Sequence, residues 1–309
     1  MNTDAYFEIG STHIICEDYA LTGTADGEFA YAILCDGCSS SKHTDLGARL
    51  LAHIAKDALL YLNRRKLLHV ENQNLTLFFD ELQELFRELV LKKVSEVKAA
   101  LCLNTDAFDA TLLISIVVGP LHRFVMSWGD GYFLIKRKPP KDCTIYGIEM
   151  INTEYISGAP FYLSYALSHD RSVSYRDTFG NFSINRHWSK LIHNSTGIVE
   201  LNKSTEVKSV EDSSMRSLFI DESEETMQDP KNYFEQPIAQ IIMSSDGLGT
   251  YKKGLEEIPI PTLLPDMLNY KNPKGEFVQR RMKNTVSREH REQGIAHYDD
   301  ISFAVINLL

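Results

Sequence analysis

Four acidic positions share one local pattern, in which an apolar stretch meets a carboxylate beside glycine or a second acid. They are Glu17-Asp18 after His13-Ile14-Ile15-Cys16, Asp36-Gly37 after Tyr31-Ala32-Ile33-Leu34-Cys35, Asp246-Gly247 after Ile241-Ile242-Met243-Ser244-Ser245, and Asp299-Asp300 just before Ile301-Ser302-Phe303-Ala304-Val305-Ile306. A strand end holds a side chain rigidly at the rim of a sheet, and glycine, having no Cβ, lets a carbonyl or a ligand approach closely. Carboxylates converging on such a rim repel one another unless positive charge lies between them. Hard divalent cations such as Mg2+ or Mn2+ take surroundings of this kind, all oxygen, and keep waters that can be deprotonated. Taken singly, each Asp-Gly is a turn. The repetition of the pattern is what points to a site.

The elements that must position these acids are legible as changes of period. Tyr6 to Ile9, Tyr19 to Leu21 and Phe29 to Cys35 read as strands bounded by turn residues. From Thr44 the apolar residues Leu46, Leu50, Leu51, Ile54, Ala58, Leu59 and Leu62 recur at threes and fours, the stripe of an amphipathic helix. A second helix is expected over Thr76 to Leu101, with Phe79, Leu82, Phe86, Val90 and Val94 on its apolar face. Thr111 to Val118, Phe124 to Trp128 and Tyr132 to Lys136 read as strands joined by Gly119-Pro120 and Gly129-Asp130-Gly131, which predicts two consecutive hairpins. Ile238 to Met243 and Ile301 to Leu308 read as strands, and helical stretches are expected at Thr262 to Tyr270 and Gly275 to Glu292. Residues 138–235 show no sustained period, and Asp221 to Asp229 is an acidic run that reads as solvated loop. Strands flank two long helices, so the expected class is α+β, antiparallel sheets packed together with helices outside.

The 309-residue chain carries 32 Lys+Arg against 42 Asp+Glu, a net charge of −10, which repels a phosphate backbone and argues against nucleic acid or an anionic membrane as the partner. No apolar run approaches the roughly 18 residues of a membrane span, and the N-terminus has acids where a secretory signal needs bases. A cytoplasmic protein with its five cysteines reduced is therefore expected. Cys35-x-x-Cys38 lacks a second pair at ligand spacing, and the basic stretch from Arg280 to Arg291 carries Phe277, Val278, Met282 and Val286 at helical spacing, which makes it the solvated face of a helix. No Gly-rich phosphate loop of the nucleotide-hydrolase kind is present.

The motifs in order resemble the metal-dependent protein phosphatases of type 2C, in their bacterial branch. The resemblance lies in Gly10-Ser11-Thr12-His13 with Glu17-Asp18, Asp36-Gly37-Cys38-Ser39-Ser40-Ser41 leading to Gly47-Ala48, Ala110-Thr111-Leu112-Leu113, Gly129-Asp130-Gly131, Ser244-Ser245-Asp246-Gly247-Leu248, and Asp299-Asp300-Ile301-Ser302. It covers about residues 6–136 and 236–309, and it implies a single domain over 1–309 with an enlarged insertion or flap at about 138–235. The implied architecture is a four-layer αββα sandwich of two antiparallel sheets flanked by helices. The implied activity is hydrolysis of phosphoserine and phosphothreonine in proteins by metal-activated water attack at a binuclear Mn2+ or Mg2+ site. On this resemblance Asp36, Asp246 and Asp299 are metal carboxylates with a catalytic role, the Gly37 carbonyl and Glu17 or Asp18 complete the second ion, and Asp130 matches a third, weaker metal position. The implied partner is a phosphorylated protein, with a monomer as the default.

Three positions depart from the family pattern. His13 stands where members often place an Arg that clamps phosphate, and imidazole lacks the bidentate fork. A role for His13 in binding the substrate phosphate is expected. Cys38 replaces a His found in some members as general acid, and Thr250 stands where a further third-metal carboxylate would be. These departures keep open an alternative, a catalytically weak relative retained as a signalling or binding module.

Overall fold

The computed structural model describes residues 1–68, 75–120, 122–180, 182–195, 197–210, 218–219 and 232–309. In chain order, β1 (Asn2–Glu8), β2 (Tyr19–Ala25) and β3 (Phe29–Cys35) precede α1 (Thr44–Arg64) and α2 (Leu75–Leu101). Then come β4 (Leu112–Val118), β5 (His122–Trp128), β6 (Gly131–Arg137), β7 (Tyr146–Tyr155), α3 (His169–Phe179), β8 (Phe182–Asn194), β9 (Gly197–Val210) and β10 (Leu218–Phe219). The chain finishes with β11 (Ile238–Ser244), β12 (Tyr251–Lys253), β13 (Glu256–Glu257), α4 (Ile260–Met267), α5 (Phe277–Asn284), β14 (Ile295–His297) and β15 (Ile301–Asn307).

Two antiparallel sheets carry the fold. One has seven strands in the order β1-β15-β11-β6-β7-β8-β9, the other five in the order β10-β5-β4-β3-β2. Strand alternation sorts the side chains between three cores. In β3, Phe29, Tyr31, Ile33 and Cys35 face α1 and α2, while Ala30, Ala32 and Leu34 face the opposing sheet. In β15, Ala304 and Ile306 face that same middle core, whereas Ile301, Phe303 and Val305 meet Leu264, Met267, Phe277 and Met282 from α4 and α5. Both faces of these strands are buried, which is why they read as continuous apolar runs. Small residues on the inward face let the sheets approach, so Ala32→Leu would overpack the middle layer at a cost of about 1–3 kcal/mol. The result is the four-layer αββα sandwich.

One expected hairpin does not form. β4 pairs with β5, but β6 pairs with β11 and β7 in the other sheet, so Gly129-Asp130-Gly131 is a crossing between layers and not a hairpin turn. Gly129 and Gly131 have φ of 112° and 129°, and a Cβ on Gly131 would lie 2.8 Å from Leu113 Cδ1 and 2.9 Å from the Ser244 carbonyl. Two glycines let the chain pass between the sheets, a use that looks identical to a tight turn in sequence.

The patternless stretch after Arg137 contains β7, β8 and β9, long strands at the far side of the larger sheet. Their exposed outer faces carry Lys, Glu, Ser and Asn, and that composition hid them. The acidic run Asp221 to Asp229 lies outside the described residues. At the other end, the stretch from Gly275 is helical only from Phe277, and Thr285–His290 continues it as a π-helical segment. Phe277, Val278, Met282 and Val286 are buried, as their spacing predicts. All five cysteines are free. Among the described residues no helix is long and apolar enough to cross a membrane.

Candidate metal centre

Each acid of the repeated pattern sits where a strand starts or stops, and the backbone around it is pinned from more than one element. Asp36 follows β3. Its N–H donates to Thr111 Oγ1 at 3.0 Å, and its carbonyl accepts the Thr111 N–H at 2.8 Å. The Gly37 N–H donates to the Glu17 carbonyl at 3.2 Å and the Cys38 N–H to the Asp109 carbonyl at 2.8 Å. Gly37 is required by close approach, since a Cβ there would lie 2.9 Å from Thr44 Cβ. Gly247 is required more strictly, because its Cβ would fall 1.9 Å from the Asp300 carbonyl oxygen.

Asp18, Asp36, Asp130 and Asp246 lie close enough for their charges to act on one another. Burial, followed by the charges of Asp18, Asp246 and Asp130, holds the Asp36 carboxyl far above the ordinary carboxylate range. Burial likewise raises Asp18, partly offset by the hydroxyl of Ser245, which donates to Asp18 Oδ2 at 2.7 Å. Burial and Asp246 raise Asp130, while burial and Asp299 raise Asp246. The charges of Asp18, Asp246 and Asp130 all act on the Asp36 carboxyl, which therefore holds its proton far more tightly than an ordinary carboxyl. Mutual elevation of this kind is the signature of like charges forced into one site.

The donor set fits a hard cation. It is entirely oxygen, Asp18 is buried and Asp36, Asp130 and Asp246 are partly so, and Asp18 Oδ1 is an interior carboxylate oxygen that no hydrogen-bond donor reaches. Among the described residues no three His, Cys, Asp or Glu side chains are already gathered as a set that could hold a metal ion. The acids interact in pairs, Asp36 with Asp18, Asp246 and Asp130, Asp130 with Asp246, and Asp246 with Asp299.

Asp299 stands at the rim of this cluster, its side chain 41% exposed, and His13 lies against it. His13 Nε2 is 3.3 Å from Asp299 Oδ1 and Nδ1 is 3.1 Å from Asp300 Oδ2. Burial depresses the imidazole, but Asp300, Asp299 and Glu17 outweigh it and leave His13 above its ordinary value. Glu17 turns aside from the pairwise cluster, its Oε1 accepting the Thr44 hydroxyl at 2.6 Å.

Asp300 and Thr250, both named in the motifs, take supporting roles that the sequence reading did not assign, and Tyr162 lay outside it altogether. Asp300 is 2% exposed and accepts the N–H groups of Gly10 at 2.7 Å and Glu17 at 2.6 Å, so it laces the segment before β2 to the start of β15. The Thr250 hydroxyl accepts the Asp299 N–H at 3.1 Å and donates to the Gly247 carbonyl at 2.9 Å. Tyr162, only 7% exposed, belongs to the 156–180 segment, and burial followed by the nearby Cys38, Asp130 and Asp36 raises its hydroxyl well above the ordinary value. The serine before Asp246 and the second acid after Asp299 were visible signals, whereas nothing in the sequence places Tyr162.

A layered αββα domain with acids converging at one end of the sandwich is thus the class that fold and site define. The family description that matches the sequence, protein phosphatase 2C, spans residues 10–296, and the chain belongs to that family. A search of curated proteins returns no match. Among solved structures, a variant of a bacterial serine phosphatase is similar at 11% identity and a TM-score of 0.51, over 100% of this chain and 99% of that one. The serine/threonine phosphatase Stp1 from Staphylococcus aureus gives 12% identity and a TM-score of 0.45, over 100% and 96%. The catalytic domain of the serine/threonine protein phosphatase PstP, in complex with two manganese ions, gives 11% identity and a TM-score of 0.42, over 99% and 96%.

Proposed function

We propose that this chain is a metal-dependent hydrolase of phosphoserine and phosphothreonine monoesters in proteins, working at a binuclear Mn2+ or Mg2+ site. The observation that carries the reading is the convergence of Asp18, Asp36, Asp130 and Asp246, each raised by burial and by its neighbours. Asp36 is central to it, since the charges of Asp18, Asp246 and Asp130 all act on its carboxyl, and it would help to hold both ions. Asp246 and Asp299 would complete one ion, and the Gly37 carbonyl with Glu17 or Asp18 the other, with Asp130 offered to a weaker third. When bound, the cations would neutralise phosphoryl oxygens and acidify a water, the chemistry of two-metal phosphoester hydrolysis. The residues themselves hold the acids in place: Ser245 orients Asp18, Thr111 clasps Asp36, and Thr250 fixes the backbone at Asp299. The reading takes residues 1–309 as one domain with an enlarged insertion, and a cytoplasmic monomer as its state.

One observation favours the weaker-module reading, the placement of both His13 nitrogens on carboxylates instead of towards open space. A single assay separates the two. Hydrolysis of an aryl phosphate and of a phosphothreonine peptide is measured with Mn2+ and with EDTA, on the wild type and Asp36→Asn. Metal-dependent turnover lost in Asp36→Asn with an unchanged fold supports the enzyme. Metal binding with no turnover on either substrate rejects it in favour of the module, and near wild-type turnover by Asp36→Asn removes Asp36 from the site.

A further inference from the structure

Residues 156–180 leave the larger sheet after β7, carrying a short 3-10 turn at Leu163–Leu167 and the helix α3 ahead of β8. Such an excursion near a catalytic end could be a loose lid. Here one buried carboxylate ties it down. Asp109 ends the 3-10 turn Thr105–Phe108, is 2% exposed, and sits directly before Ala110, which bridges Gly37. Its Oδ1 accepts the Ser164 hydroxyl at 2.6 Å. Its Oδ2 accepts the Ser41 hydroxyl at 2.9 Å and Arg171 Nη2 at 2.6 Å, and its backbone carbonyl takes the Cys38 N–H at 2.8 Å. Arg171 in turn lies 4.5 Å from the ring centroid of Tyr165, which keeps the guanidinium from swinging away.

We propose that Asp109 is a positioning residue that fastens the 156–180 segment to the loop following Asp36-Gly37, and so holds Tyr162 near Cys38 at the reacting end. The geometry favours this over a purely structural ion pair. The partners of one carboxylate come from both sides of the gap, Ser41 from the acid-bearing loop and Ser164 and Arg171 from the excursion, and Tyr162 is the residue immediately before the turn that contains Ser164. A buried carboxylate satisfied by three donors resists release, because losing any of them leaves desolvated polar groups unpaired. Tyr162 therefore reaches the site as part of a fixed wall.

The catalytic consequence rests on the phosphatase reading, while the fastening does not. Asp109→Asn, Arg171→Gln, Tyr162→Phe and the Asp109→Asn/Tyr162→Phe double variant are compared by three measurements. Hydrogen exchange over residues 156–180 and the alkylation rate of Cys38, mapped by mass spectrometry, need no activity. Faster exchange confined to 156–180 and faster Cys38 alkylation are expected in Asp109→Asn and Arg171→Gln, and unchanged rates in both variants overturn the fastening even in a protein without turnover. Where the protein turns over a phosphopeptide at saturating Mn2+, Asp109→Asn is expected to lower kcat about 10- to 100-fold with KM little changed, as misplacement does. The double variant should then be no slower than the slower single variant. Losses that multiply, or a fall in stability with kcat intact, would show that Asp109 does not act through Tyr162. Arg171→Gln, changed at a side chain that is 29% exposed, keeps the test open if Asp109→Asn does not fold.

Discussion

The Thr250 hydroxyl accepts the backbone N–H of Asp299 at 3.1 Å and that of Tyr298 at 3.2 Å, while donating to the Gly247 carbonyl at 2.9 Å. The position where a metal carboxylate was expected is thus occupied by a group that orients a neighbouring one. Thr250→Val keeps the shape and removes all three bonds. A stability loss of about 1–3 kcal/mol is expected from the unpaired backbone groups, together with a weakening of metal binding by about 10- to 100-fold, the usual effect of losing an outer support. Thr250→Ser should sit close to wild type. Calorimetric Mn2+ titration checks both, and a Thr250→Val affinity equal to wild type would remove Thr250 from the support of Asp299.

His13 makes a separable case. Because both ring nitrogens face carboxylates, its structural setting is that of a brace between Asp299 and Asp300. If it braces, His13→Ala should raise the Mn2+ concentration for half-maximal activity about tenfold or more, and leave the substrate KM at saturating Mn2+ nearly unchanged. The role suggested by its place in the motif, holding substrate phosphate, gives the opposite split, a raised KM with metal demand unaltered. Steady-state kinetics at several fixed Mn2+ concentrations distinguishes them.

What the sequence revealed and what it hid follow from one physical distinction. Strands buried on both faces, such as β3 and β15, advertise themselves as apolar runs, and the acids at their ends are found by looking where those runs stop. Family order then supplies which acids belong together, a matter of contacts hundreds of residues apart that no local period encodes. Strands with one solvated face and polar decoration, β7 to β9, carry no such run. Gly129-Asp130-Gly131 was legible as a reversal but not as a change of sheet, because glycine serves both equally. Support from outside the motifs, Asp109 and Tyr162 above all, depends on where the 156–180 excursion lands, and that is decided by tertiary contact alone.

Lys136 offers a pH test remote from the acids. Its ammonium donates to the Leu268 carbonyl at 2.9 Å and lies 4.4 Å from the Tyr146 ring centroid, yet burial pushes it down to about 8 from 10.5. A depressed lysine binds its proton less well folded than unfolded, so its cost is present in full below pH 8 and relieved as pH rises from about 8 to 10.5. Lys136→Met removes that cost along with one hydrogen bond. A net stabilisation on the order of 1 kcal/mol at pH 7 is expected, read as a Tm rise of about 2–4 °C. The advantage should shrink towards pH 10.5, and a Tm below wild type at pH 7 would mean the hydrogen bond and ring contact outweigh burial.

The acid cluster makes the opposite prediction with opposite sign. A carboxyl whose folded value is raised contributes stability that is fully present below its unfolded value near 3.8 and lost as pH climbs through the folded value, about 7 for Asp18 and Asp130. The chelated protein should therefore lose thermal stability steadily between pH 5 and pH 8, as the protons on Asp18, Asp36, Asp130 and Asp246 are given up and like charges face each other. Divalent metal should reverse the loss by replacing those protons, adding about 2.7 kcal/mol at a free concentration one hundred times Kd, so the gap in Tm between the Mn2+ and EDTA forms should widen from pH 5 to pH 8. Asp36→Asn removes a negative charge from the middle of the cluster with little change in volume, and its chelated form should be more stable than chelated wild type at pH 8 while responding weakly to Mn2+. Thermal unfolding of both proteins across this range, with and without metal, decides the matter. A gap of constant size from pH 5 to pH 8, or a chelated Asp36→Asn less stable than wild type at pH 8, would show that these carboxyls do not raise one another as like charges in one site.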